Sequence, residues 1–214
     1  SLFERLAILG VKTQVVGSGR ARNIPEGADP VEHRKRFAEV MHKTFIPVCE
    51  QYGITLCIES LNKKETNFIN TVKEGVELAK FIDSPSVAAH IDSYHMGMEN
   101  EPFESLEAYK GIAKHVHIAA TNSSRAYPAY NDGIDWKFII ECIKKSGCTD
   151  KLSLEATAKG SEYDKIQSLD LGADDYLVKP EITGIVKNPI GHIFFDVNVQ
   201  LFFVVVHLLF SLKF

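Results

Sequence analysis

The stretch "ITLCIESLNKKETNFINTVKEGVELAKFIDSPSVAAHID", residues 54–92, decides how this chain folds. "ITLCIE" is a short apolar run, rich in β-branched residues, that stops at an acid, as a buried strand does where it leaves a core. "TVKEGVELAKFI" has the apolar spacing of an amphipathic helix. Thr71 and Glu74 stand three residues apart at its start, the spacing of a capping box. "SVAAHID" is a second apolar run that again ends at an acid. A strand, a helical crossover and a second strand make a βα unit, and such units build a parallel sheet.

The same rhythm extends both ways. On the C-terminal side come a predicted helix in "FESLEAYKGIA", a strand in "HVHIAA" and a helix in "DWKFIIECIKKSG", capped by Asp135 and stopped by Gly147. The strand "KLSLEA" and a helix in "SEYDKIQSLDL" follow. On the N-terminal side, "ADPVEHRKRFAEVMHKTFIPVCEQYG" reads as a helix with Asp29 as N-cap, Pro30 at the first position and Gly53 at the close. Pro47 should kink or end that helix. "KTQVVGSG" reads as a strand ending in a glycine turn. The count is about five βα units, so the fold class is α/β with parallel strands.

The bulk composition allows this. In 214 residues, 45% are hydrophobic and 24% charged, with a net charge of −4, ordinary values for a domain with a core. No basic stripe is present, which argues against a nucleic-acid partner. Cys49, Cys57, Cys142 and Cys148 form no close metal-type pair and read as reduced thiols of a cytoplasmic protein. "SLFERLAILG" carries Glu4 and Arg5 and reads as a helix end, not a signal peptide. The first residue is not Met, which suggests processing, trimming or an incomplete chain.

Four groups stand at successive strand ends: Glu59 in "TLCIE", Asp92 in "VAAHID", His117 in "HVHIA" and Glu155 in "KLSLE". Consecutive right-handed βα units send every strand's C-terminal end to one face of the sheet. Taken singly, Glu59 or Asp92 reads as a loop acid or helix cap, and His117 as a hydrogen-bonded core histidine. Taken together, three carboxylates and a neutral imidazole suit one divalent ion, Mn²⁺ first, with Mg²⁺, Co²⁺ or Zn²⁺ as alternatives. The absence of a thiolate from the set argues against a structural zinc site. "GSGRAR" is open to reading as an anion-binding loop with Arg20 and Arg22 as partners, or as a turn with solvated arginines.

At these residues the chain resembles the xylose isomerase-like TIM barrels, in particular sugar phosphate isomerase/epimerases and ketose 3-epimerases. The resemblance runs from about Leu6 to Leu171. It rests on "GSGRARNIPEG", "IESLNKKETNFINT", "HIDSYHM", "HVHIA" with the later "RAYP", and "LSLEA". It implies one catalytic metal on Glu59, Asp92, His117 and Glu155, with the two glutamates also acting as an acid–base pair. It implies that His95 and Arg125 contact substrate oxygens; the alternative for Arg125 is a solvated loop arginine. The expected reaction is isomerisation or epimerisation of a ketose or sugar phosphate through an enediolate.

The chain departs from the family in three places. "NSS" looks like a small insertion before Arg125, and "PAYNDG" stands where glycines often follow the proline. "GSGRAR" resembles the fourth strand's exit loop, so the expectation is an N-terminally truncated, partial (β/α)8 barrel over residues 1–171. Its strand edges at "KTQVVG" and "LSLE" would then invite self-association or covering by the tail. Two further readings are a non-catalytic barrel fragment and a DNA-repair endonuclease of the same superfamily.

Residues 172–214 are an unassigned apolar tail. Phe195, Val197, Val199 and Leu201 alternate with Asp196, Asn198 and Gln200, as in a half-buried strand. The mostly apolar run from Leu201 to Leu212 is shorter than the ~18 residues of a membrane span, and His207 interrupts it. No membrane partner is expected; a non-native tail from a faulty gene boundary is an alternative. "SLDLGADDYLVKP" resembles the end of a response-regulator receiver domain, with no acidic pair upstream to match.

Overall fold

The computed structural model describes residues 2–148 and 152–157. The predicted tail, the helix in "SEYDKIQSLDL" and the receiver-like segment lie outside the described residues. Five strands, β1 (Thr13–Val16), β2 (Thr55–Glu59), β3 (Val87–Asp92), β4 (Ala113–Ile118) and β5 (Leu152–Leu154), pair in chain order, all parallel. Cα atoms of β1 and β4 approach within 8 Å although two strands lie between them. In a flat sheet three strand spacings would separate them by about 14 Å. The sheet is therefore curled, as the wall of a partial α/β barrel.

Helices α1 (Leu2–Ile8), α2 (Pro30–Val40), α3 (Ile46–Tyr52), α4 (Val72–Ile82), α5 (Ser93–Met98) and α6 (Trp136–Lys145) accompany the strands. The predicted caps form. Asp29 accepts from Val31 N at 2.8 Å, and Asp135 accepts from Phe138 N at 3.0 Å. Thr71 Oγ1 accepts from Glu74 N at 3.1 Å, while Glu74 Oε2 accepts from Thr71 N at 3.3 Å. Gly53 closes α3 in the left-handed region, at φ +64°.

One expectation takes a specific form and one needs correction. The helix changes character just before Pro47, which stands in the first turn of α3. A π turn at Met41–Phe45, in which Ile46 N donates to Met41 O, precedes α3 and takes up the backbone change that a proline ring requires. "FESLEAYKGIA" is not an α-helix. Phe103–Tyr109 forms 3-10 turns, and Ala113 already belongs to β4. The segment runs only from Pro102 to Lys110, and short connecting turns of this kind are often 3-10.

The core has two parts. Leu6, Phe37, Phe45, Leu56, Ile58 and Leu78 join α1–α4 to β1 and β2. Val76, Ile91, Leu106, Val116, Ile139 and Ile143 join α4 and α6 to β3 and β4. Each fully buried aliphatic side chain contributes about 1.5–3 kcal/mol. Together these fix the strand ends on which the polar residues stand.

Candidate metal centre

The strand ends are locked before any side chain reaches out. Ser93 Oγ donates to Ala119 O at 2.6 Å and accepts from Ala119 N at 2.9 Å, which ties the end of β3 to the end of β4. Arg22, fully buried, donates from Nη1 to Val16 O at 3.0 Å and from Nη2 to Glu59 O. It clamps the ends of β1 and β2. For Arg22 this corrects both readings of "GSGRAR": the side chain is spent on two strand-end carbonyls and out of solvent, and burial pushes its guanidinium down to about 10 against the pull of Glu59 and Glu65. Arg20 is exposed. The glycine turn has a separate purpose. A Cβ on Gly17 would stand 2.1 Å from Glu59 Oε2, so glycine leaves that carboxylate the position it holds, and any other residue would make it swing aside.

On this frame the four strand-end groups converge. One ligand atom from each of Glu59, Asp92, His117 and Glu155 lies within 4.8 Å of all the others. His117 Nδ1 is 2.6 Å from Glu155 Oε2, 3.5 Å from Glu59 Oε1 and 3.8 Å from Asp92 Oδ2. Asp92 is both a cap and a candidate ligand. Its Oδ1 accepts from Tyr94 N at 2.8 Å and His95 N at 3.3 Å, while its Oδ2 has no hydrogen-bond partner. Glu59 Oε1 and His117 Nδ1 also lack an aligned partner.

Such a cluster of acids is electrostatically costly without a cation. Burial, with help from Glu59, pushes the Asp92 carboxyl up to about 7. Burial opposes charge on His117, but the carboxylates of Glu155 and Glu59 outweigh it and push the imidazole up to about 10. Burial likewise works against an ionised Glu59, yet His117 beside it holds that carboxyl below its ordinary range. The donor set, three carboxylates and one imidazole with buried, unsatisfied atoms aimed at a common point, fits a divalent ion of the Mn²⁺ or Mg²⁺ type.

The two residues read as substrate contacts are also here. His95 is buried; its Nδ1 accepts from Asn62 N at 3.0 Å, which assigns the proton to Nε2. Nε2 has no partner and lies 4.0 Å from Asp92 Oδ2. Arg125 is not a solvated loop residue. Nη2 lies 3.5 Å from Asp92 Oδ2 and 3.3 Å from Glu155 Oε2, Nε donates to Glu155 O at 3.2 Å, and the guanidinium stacks 4.7 Å from the Tyr94 ring centroid. Its backbone sits in the left-handed region at φ +44°, an uncommon conformation for a non-glycine residue.

Asn62, Tyr94 and Ser93 shape the site without a readable signal in the sequence, and Gly17 and Arg22 shape it in ways that "GSGRAR" did not indicate. Each acts through a partner distant in the chain or through the backbone.

The xylose isomerase-like TIM barrel family model matches residues 1–173. The chain belongs to that family. Among curated proteins it is 28% identical over 140 residues to a D-psicose 3-epimerase from Ruminiclostridium cellulolyticum, covering 63% of this chain and 47% of that protein. It is 36% identical over 76 residues to an L-ribulose 3-epimerase from a Methylomonas species, covering 35% of this chain and 26% of that one. This family member thus spans about half the length, or less, of these curated relatives. Among solved structures, a 3-keto-D-glucoside 4-epimerase from E. coli superposes with a TM-score of 0.65 at 21% identity, over 79% of this chain and 66% of that one. A D-psicose 3-epimerase crystallised with D-fructose gives 0.62 at 23%, over 80% and 61%. These likenesses show the fold.

Proposed function

We propose that the chain carries the metal-binding face of a metal-dependent ketose isomerase or epimerase. The observation that carries the reading is the convergence of Glu59, Asp92, His117 and Glu155 within 4.8 Å on four successive strand ends. The ketose 3-epimerase relatives support the choice of substrate class.

In this reading the four residues hold one divalent ion, Mn²⁺ by preference, which supplies Lewis-acid polarisation of a substrate carbonyl. His95 Nε2, neutral because burial keeps its pKa low, donates to a sugar oxygen. Arg125 points its guanidinium at the same space. One glutamate takes the proton from the carbon beside the carbonyl to give an enediolate, and the other returns a proton, from the opposite face in an epimerisation. Glu59 stands on β2 and Glu155 just beyond β5, on either side of His117, which supports giving them the two proton-transfer roles. The four described cysteines are all buried and free, which fits a cytoplasmic protein. No helix among the described residues is long and apolar enough to cross a membrane.

The test is incorporation of solvent deuterium beside the carbonyl of a free ketose, with the 214-residue chain stripped of metal and then given Mn²⁺. Incorporation that appears only with Mn²⁺ supports the reading. Mn²⁺ binding without any incorporation would favour the non-catalytic barrel fragment instead.

A further inference from the structure

Beneath the carboxylate cluster lies a layer of imidazoles. His90 is two residues before Asp92 on β3, and His115 two before His117 on β4, so side-chain alternation puts each pair on one face. His90 and His115 are register partners. The His90 ring centroid is 4.1 Å from that of His117, edge to face, and 5.5 Å from that of His115; His115 and His117 are 5.2 Å apart. One nitrogen from each of the three lies within 4.8 Å of the others.

His90 has no exposed surface, and neither ring nitrogen has a hydrogen-bond partner. A buried polar atom left without a partner destabilises a fold. A packed imidazole with both nitrogens unmet is therefore a feature that a ligand would relieve. The nearest oxygen of the upper cluster is Glu59 Oε1, 3.8 Å from His90 Nδ1 and 3.5 Å from His117 Nδ1. Ligand atoms of a tetrahedral zinc ion with bonds of ~2.0–2.1 Å stand about 3.3 Å apart. The three imidazole nitrogens, within 4.8 Å of one another, would draw together around an ion held there.

We propose that His90, His115 and His117 form a second cation position, which takes an imidazole-preferring ion such as Zn²⁺ with Glu59 as its nearest oxygen ligand. Three imidazoles suit Zn²⁺ or Cu²⁺ better than the oxygen-seeking ions that suit the position above. His117 belongs to both sets, so filling the lower position changes the upper one. This inference goes beyond the ketose reading and does not depend on it.

The test uses the untagged chain after chelator treatment. Asp92→Asn with Glu155→Gln removes two ligands belonging only to the upper position. That variant is expected to lose Mn²⁺ yet retain one Zn²⁺ per chain in equilibrium dialysis. Adding His90→Gln should weaken its zinc binding by more than the ~10–100-fold typical of a residue outside the ligand shell. Zinc lost already in the first variant, or unchanged after His90→Gln, overturns the proposal. A measurement on the unsubstituted chain covers misfolding of the variants: one equivalent of Cu²⁺ should give spin-echo modulation from three imidazoles. Modulation from a single imidazole would overturn it equally. Manganese stoichiometry in the His90→Gln chain reports the upper position alone, so failure of either position is seen separately.

Discussion

His117 Nδ1 and Glu155 Oε2 stand 2.6 Å apart, an ion-pair contact between the ends of β4 and β5. Without a metal, the contact is held by a proton on His117, whose pKa is pushed up to about 10. Metal binding must displace that proton and any on Asp92, whose pKa is near 7. Calorimetry in buffers of different ionisation enthalpy at pH 7–8 should show release of at least one proton per Mn²⁺ bound. Zero release would mean that His117 is not a ligand.

The same shifts set the metal-free chain's stability against pH. Asp92 and His117 both have pKa values raised in the folded state, from ordinary values near 3.8 and 6.5 to about 7 and about 10. Each stabilising contribution is complete below the unfolded pKa and is lost as pH rises through the folded one. Asp92's share is lost by about pH 7, so a fall in urea midpoints of metal-free chain between pH 7 and pH 10 belongs to His117, and saturating Mn²⁺ should remove most of it.

Asp92→Asn separates the two functions of one carboxylate. The amide oxygen can still accept from Tyr94 N and His95 N, while the charge on Oδ2 is gone. We expect Mn²⁺ affinity to drop at least 100-fold. At pH 8 the metal-free variant should be more stable than the original by on the order of 1 kcal/mol, because a buried carboxylate whose pKa is raised is unfavourable when ionised. Denaturant unfolding with and without metal checks both.

Glu155→Gln keeps the shape of the side chain and removes a proton acceptor. Ketose binding should persist while α-proton exchange slows by ~10²–10⁴-fold. Exchange at the original rate would remove Glu155 from proton transfer.

Arg22→Met should destabilise the chain by about 2–6 kcal/mol, since Val16 O and Glu59 O each lose a buried donor worth ~1–3 kcal/mol. Arg22→Lys should fall between, because a point ammonium cannot span two strand ends as the guanidinium fork does. Thermal melts of both variants give the ranking.

The strands and the four converging groups were legible because their signals are local. Apolar runs stop at Glu59, Asp92 and Glu155, and parallel topology gathers such ends whatever lies between. His95 was placed by family resemblance, and Arg125 only after an insertion had been allowed for. Arg22 was illegible because a charged residue in a glycine-rich turn normally meets solvent; the carbonyls that hold it sit at positions 16 and 59, and no spacing links them. The 3-10 turns at Phe103–Tyr109 were misread because their apolar spacing suits a helix, while proximity to Pro102 and Gly111 limits its length. His90 looked like part of a strand's apolar run; only the neighbouring strand reveals the imidazoles beside it.

Gly17 gives the site a boundary drawn by an absent atom. Every coded alternative to glycine brings a Cβ, and that carbon would occupy the space of Glu59 Oε2. Any side chain at position 17 would therefore make the Glu59 carboxylate swing aside, away from its place beside His117. The glycine sets where that carboxylate rests, although it carries no chemistry of its own.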